Sequence, residues 1–421
     1  MVDAASKMTS AASLPSDAVR HVARASYGKL VAYLSARTRD VAKAEDALSE
    51  AFVEALQRWP QAGIPESPEA WLLTVARRQL VDSDRRAITA TRGADHLRLL
   101  SEELQDRSAS DKIIPDERLS LMFACAHPAI DIRMRAPLIL QTVLGFDAET
   151  IAQAFLVAPG TMSQRLVRAK AKIRDAGIPF RLPERDDLPD RVEAVLAAIY
   201  ATFSAGWADP AGMDFHRKGL ADEAIWLARL IIDLLPGDPE ALGLLALLLH
   251  LDARRHTRRV EGRFIPLMEQ DPAHWQTPLI EEADALLRQA SQARCIGRYQ
   301  LEAAIQSAHA IRRLSGKPDW PALERLYDRL FEITRSPVVA LNRAVVIAEL
   351  HGPAEGLAAL DALGGDERLA DYQPYWAARA DLLARLSHAA AANDAYLRAI
   401  GLESDSAVRD FLEQRRQHAI A

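Results

Sequence analysis

Apolar residues recur along almost the whole chain at three- and four-residue steps, and alternating β-branched runs are absent. That pattern predicts helix nearly everywhere. Ala18–Thr38 reads as a first amphipathic helix. Val41–Trp59 reads as a second, with Ala44, Ala47, Leu48, Ala51, Phe52, Ala55 and Leu56 on its apolar face. Three prolines between Pro60 and Pro68 predict a break. A third helix follows over Pro68–Arg86, with Ser67 placed to cap it and Pro68 in its first turn. Residues 87–113 are polar without a period and read as a flexible linker. Helices resume at Pro115–Cys125 and Ile132–Leu144. A short helix, Ala148–Phe155, leads through Leu156-Val-Ala-Pro-Gly160 into a helix ending at Arg174. Gly177–Pro189, rich in proline and charge, is a second break.

The stretch Pro159–Arg174 holds five basic residues and no acidic one. Met162, Leu166, Ala169 and Ile173 form an apolar stripe, and the basic side chains fall largely off it. Helix, tight turn and basic helix is the layout of a helix-turn-helix reader. In that reading Thr161 to Arg168 enters the major groove. Gln164 and Arg165 suit base edges, while Ser163, Arg168, Lys170 and Arg174 suit phosphates. A solvated basic face on an ordinary helix would give the same composition.

Beyond residue 190 helical hairpins recur. Ala340–Leu363 aligns with Trp376–Ala399 at an offset of 36, pairing Leu350 with Leu386 and Leu360 with Tyr396. Ala391–Leu402 and Glu223–Pro236 carry the small-residue spacing of a tetratricopeptide second helix. Units of this kind bury their faces only by stacking on neighbours. A non-repetitive helical domain with chance similarity is the alternative.

Charge sharpens this division. The 421 residues carry a net charge of −6, but residues 1–175 hold 24 Lys and Arg against 22 Asp and Glu, and the remainder 28 against 36. A slightly basic first part joined to an acidic second part fits a nucleic-acid-binding half and a half that does not bind nucleic acid. No run approaches the roughly 18 apolar residues that span a bilayer, and Met1–Ser16 lacks the apolar core of a signal peptide. The expectation is a cytoplasmic protein with no membrane contact. Cys125 and Cys295 lie far apart and read as small buried side chains. His127, His309 and His351 are scattered without ligand spacing, Asp186-Asp187 reads as solvated linker, and no phosphate loop or nucleophile elbow occurs. No catalytic role, cofactor or metal is therefore expected.

The second helix also carries Asp40, Glu45, Asp46, Glu50 and Glu54 beside its apolar stripe. That combination suits docking onto a basic partner surface, or simply makes a solvated acidic face. The third helix gathers Arg77, Arg78, Arg85 and Arg86.

In order along the chain, Arg39–Phe52, Ala70–Arg86 and residues 116–174, ending in Gln164-Arg-Leu-Val-Arg-Ala-Lys170, resemble region two and region four of a bacterial extracytoplasmic-function (group IV) sigma factor of the sigma-70 family. Asp238–Leu247, Gly297–Ile305 and Ser336–Ala344 resemble the tetratricopeptide-like extension of one sigma subgroup. Together the resemblance covers roughly residues 15–415. It implies an all-α protein with a region 2 bundle over 15–86, a linker over 87–113, a region 4 helix-turn-helix over 114–176, a linker over 177–190 and a helical repeat domain over 191–415. It further implies that Asp46, Glu50 and Phe52 bind the β′ clamp coiled coil of core RNA polymerase, and that the β flap and promoter DNA are partners. The Ala70–Arg86 helix would grip one promoter strand through its arginines, the loop Gln61–Ser67 would pocket an unstacked base, and Trp59 and Trp71 flanking it could stack bases or pack in the core, core packing being the reading for Trp71. A protein or peptide would bind the repeat domain. One departure matters: many members carry Asn after the first Arg of the downstream-reading helix, and here it is Arg78, so promoter preference does not carry over. A helix-turn-helix regulator with a repeat sensor, or a tetratricopeptide scaffold, are the rival readings.

Overall fold

The computed structural model describes residues 22, 26–90, 116–155, 157–184, 187–207 and 219–420. They fall into two compact units, Met1–Thr202 and Phe203–Ala421.

The first unit is all helix among the described residues. α1 covers residues 26–38, so most of the expected Ala18–Arg24 start lies outside them. α2 (Val41–Ala62) is capped by Asp40, whose carboxylate accepts from the Lys43 amide at 3.2 Å. The helix continues through Pro60 instead of breaking there. The proline forfeits one hydrogen bond in an exposed last turn, and the helix ends at Gly63, whose φ of +85° few other residues adopt. α3 spans Pro68–Ala90, four residues beyond the expected end. Residues 91–113 of the expected linker lie outside the described residues.

α4 (Arg118–Cys125), α5 (Ile132–Leu144), α6 (Ala148–Ala154) and α7 (Pro159–Asp175) follow. α1 packs directly on α5. A Cβ on Gly28 would sit 1.9 Å from the Val143 carbonyl oxygen, so only glycine fits there. α8 (Leu188–Trp207) begins inside the expected second break. Its first turns bury Val192, Val195, Leu196 and Ile199. Arg191, also buried, donates to the Phe123 carbonyl at the end of α4.

The second unit opens with α9 (Leu220–Leu234) and α10 (Pro239–Asp252). α10 is buried on every side from Ala241 to His250, as its continuous apolar run requires. A small antiparallel hairpin, β1 (Arg259–Val260) with β2 (Arg263–Phe264), turns through Glu261 and Gly262, both at positive φ. Periodicity gave no warning of it, because each strand has only two residues. α11 (Thr277–Ser291) and α12 (Arg298–Ala310) pack with α10. α12 receives an N-terminal cap from across the unit: Glu240 accepts from the Tyr299 and Gln300 amides at 3.0 and 3.2 Å.

After the one-turn α13 (Arg312–Ser315) and α14 (Trp320–Thr334), two helical hairpins follow. α15 (Pro337–His351) pairs with α16 (Pro353–Asp361). Beyond the short α17 (Glu367–Ala370), α18 (Gln373–Arg385) pairs with α19 (Ala389–Leu402). Both helices of the second hairpin start 36 residues after their counterparts. Leu360 and Tyr396, matched by the offset, are both buried. α20 (Ser406–Ile420) closes the unit against α19 and β2, with Phe411 edge-on to Phe264.

Candidate nucleic-acid interface

α7 presents two sets of side chains. Met162, Leu166, Ala169 and Ile173 are buried, as the stripe requires. Thr161, Gln164, Arg165, Arg168 and Lys172 are exposed along one line of the helix, at steps of three and four. Ser163 and Val167 begin a second, adjacent line and are exposed too. Val167, which the basic pattern does not single out, is 61% exposed and is the apolar member of this surface. The preceding turn is well made. Asp147 accepts from the Thr150 amide at 2.8 Å and its hydroxyl at 3.1 Å, and Pro159 occupies the first turn of α7.

The second line ends differently. Lys170, expected on phosphates, places its Nζ 2.6 Å from Oε2 of Glu45 in α2, and the two side chains are only 13% and 11% exposed. Arg174 is exposed but lies 3.7 Å from Asp40, and it also pairs with Asp175 at 2.9 Å. The far end of the basic helix is thus tied to α2. Burial holds the Glu45 carboxyl above its ordinary range, with Lys170 pulling it back down.

This pairing changes the reading of α2. Asp40 and Glu45 are buried and do not belong to an acidic rim. Asp46 and Glu50 are exposed, Phe52 is half-buried, and Val53 and Leu56 stand out at 54% and 48% exposure. Leu56, which the period places on the apolar inner face, turns outward. Asp46, Glu50 and Val53 follow at four- and three-residue steps, so one outward stripe combines acidic and apolar groups. The spacing alone places Val53 on this stripe. Glu54 is held by Arg58 at 2.9 Å.

On α3, Arg78 is exposed. Arg77 is half-buried: its Nη2 donates to the Tyr33 hydroxyl at 2.5 Å, and its guanidinium lies 5.4 Å from that ring. Arg85 and Arg86 continue the helix, but their side chains lie outside the described residues. Trp59 is 2% exposed and packs edge-on against half-buried Trp71 at 5.6 Å, so Trp59 is a core ring and not a base-stacking one.

Other chemistry is sparse. Cys125 is buried beside Thr142, and burial pushes its thiol up to about 12. Cys295, expected to be buried, is exposed. Among the described residues no group of three or more His, Cys, Asp or Glu could hold a metal, and no helix is long and apolar enough to cross a membrane.

Comparison with known proteins bears on two stretches of the chain. Residues 22–88 match Sigma-70 region 2. Residues 191–291 match a family of unknown function, DUF6596. The chain is 37% identical over 390 residues, 91% of both chains, to "Uncharacterized protein R00370" of Rhizobium meliloti (strain 1021). No solved structure matches. Residues 22–88, which hold the exposed acidic–apolar stripe and Arg78, thus form the region 2 domain of a sigma-70 family factor, and the chain as a whole belongs to one family with the Rhizobium protein.

Proposed function

We propose that this chain is a cytoplasmic sigma factor of the extracytoplasmic-function (group IV) type, which binds core RNA polymerase and directs it to promoters. The carrying observation is the outward stripe of α2, where Asp46 and Glu50 border Val53, Leu56 and half-buried Phe52. Exposed apolar side chains flanked by carboxylates suit a basic helical partner: the apolar groups supply the buried centre and the charges the rim. In this reading the partner is the β′ clamp coiled coil, and the helix-turn-helix sits on the β flap. Thr161, Ser163, Gln164, Arg165 and Arg168 face the upstream promoter element, and Arg78 faces the downstream one. The factor performs no bond chemistry. The second unit, with its hairpins at a 36-residue offset, acts as a tetratricopeptide-like surface for a protein or peptide that sets activity. The test is capture of purified core polymerase followed by run-off transcription on genomic promoters. Tight binding through the first unit with promoter-selective transcripts supports the reading. A folded chain that binds DNA but not core enzyme would instead be an ordinary helix-turn-helix regulator.

A further inference from the structure

The second unit contains a concentration of positive charge that its described residues pair only in part. Five arginines occupy the ten residues from Arg254 to Arg263. Three have carboxylate partners. Arg255 meets Asp252 at 2.5 Å and Asp222 at 2.9 Å, Arg259 pairs with Asp405, and Arg263 lies 3.6 Å from Glu261. Arg254 and Arg258 have none within ion-pair distance among the described residues, although Asp405 acts on Arg258 from farther away.

These two converge on one spot. Their guanidinium carbons lie 5.5 and 4.1 Å from the Trp207 ring. Arg258 also donates to the Trp207 carbonyl at 2.6 Å, where the C-terminus of α8 favours a cation. Among the described residues the Arg254 guanidinium has no such compensation; it donates to the neutral Gln306 side-chain oxygen at 3.2 Å. Nearby His309 is kept neutral, its pKa lowered to about 4 by burial and then by Arg254 and Arg312. The Tyr327 hydroxyl is likewise held protonated by burial. The Trp207, Arg254, Arg258, Gln306, His309 and Tyr327 side chains are half-buried, partly desolvated yet still reachable from solvent.

A partly desolvated pair of guanidiniums with no ion-pair partner among the described residues is costly, and it persists where something supplies the opposite charge. Planar guanidiniums favour oxyanions because they bind them two bonds at a time. We propose that Arg254 and Arg258, on the Trp207 platform, form a binding site for an anionic oxygen group, a phosphate or a carboxylate, carried by a small molecule. This inference does not depend on the transcriptional reading, since it concerns groups of the second unit alone.

The test is thermal unfolding of the full chain, followed by circular dichroism, with inorganic phosphate and citrate titrated in parallel against sodium chloride at matched ionic strength. A saturable rise in Tm, about 3 °C or more, is expected with one of the two anions, and the anion with the lower half-saturation identifies the preferred group. Arg254→Gln should abolish the rise. Arg258→Lys, which keeps the charge but loses the fork, should raise the half-saturation about tenfold. Without anion, Arg254→Met should leave Tm unchanged or raise it, because it removes an unpaired cation. A structural arginine would behave oppositely, so a drop in Tm on Arg254→Met overturns the proposal. So does a wild-type response no different from that to chloride.

Discussion

Replacing Lys170 by Met decides what that residue does. The structure buries its ammonium against Glu45 at 2.6 Å, so the variant leaves a carboxylate almost out of water with no partner. Breaking a buried pair typically costs about 3–5 kcal/mol. Here the loss has a ceiling, because Glu45 can take up a proton instead. Protonating a carboxyl of ordinary pKa 4.5 at pH 7 costs about 3.4 kcal/mol. Burial already holds the Glu45 value up in the intact chain, so part of that penalty is present before the mutation. We expect a loss of about 2 kcal/mol in the first unit at pH 7, read from urea unfolding of the full chain. The pH dependence has a definite sign. A carboxyl with a raised folded-state pKa contributes most below its unfolded value and loses that contribution as pH rises. The deficit should therefore shrink as pH falls from 7 toward 4.5. Adding Glu45→Met should restore most of the stability, since an apolar pair can replace a buried ion pair at little cost. A phosphate-binding lysine predicts the reverse. A deficit below about 0.5 kcal/mol, with uniformly weaker binding to all DNA sequences, would refute the buried pair.

Arg165→Ala, on the exposed line of α7, should cost about 1–3 kcal/mol of promoter binding and relax preference at one base position, measured by binding to single-substitution promoter variants. Reversing Asp46 and Glu50 to Lys should weaken core-polymerase capture and alter its salt dependence while leaving the unfolding midpoint nearly unchanged, because both side chains are exposed. His309 is held near 4 against an ordinary 6.5, so its neutral form stabilises the fold above pH 6.5 and that contribution falls away toward pH 4; the full shift corresponds to roughly 3 kcal/mol, and His309→Gln should flatten the acid limb of the stability profile. Removing the second unit after Thr202 should leave a folded first unit. Ending the chain at Gly177 should destabilise it, because that cut also removes Arg191, Val195, Leu196 and Ile199 from its core; circular dichroism of the two truncations separates them.

Helix existence, and for α7 the face that turns inward, were legible in residue order because the 3.6-residue period is a local property. Met162, Leu166, Ala169 and Ile173 are all buried, and the 36-residue offset reappears as two hairpins with matching helix starts. A period does not say what a polar residue meets across space. Glu45 and Asp46 are neighbours on α2 with the same charge, yet one is buried against a lysine 125 residues away and the other faces solvent. Lys170 and Arg168 sit on one basic helix, and only the packing of α7 against α2 separates a structural cation from a surface one. Pro60 stayed helical because only an exposed last turn depended on it, a circumstance of position. Trp59 became a core ring through its contact with Trp71. Propensity and periodicity act within a few residues, so they determined the elements; desolvation and charge pairing act between segments far apart in the chain, so the tertiary structure alone decided which charged residues remain for a partner.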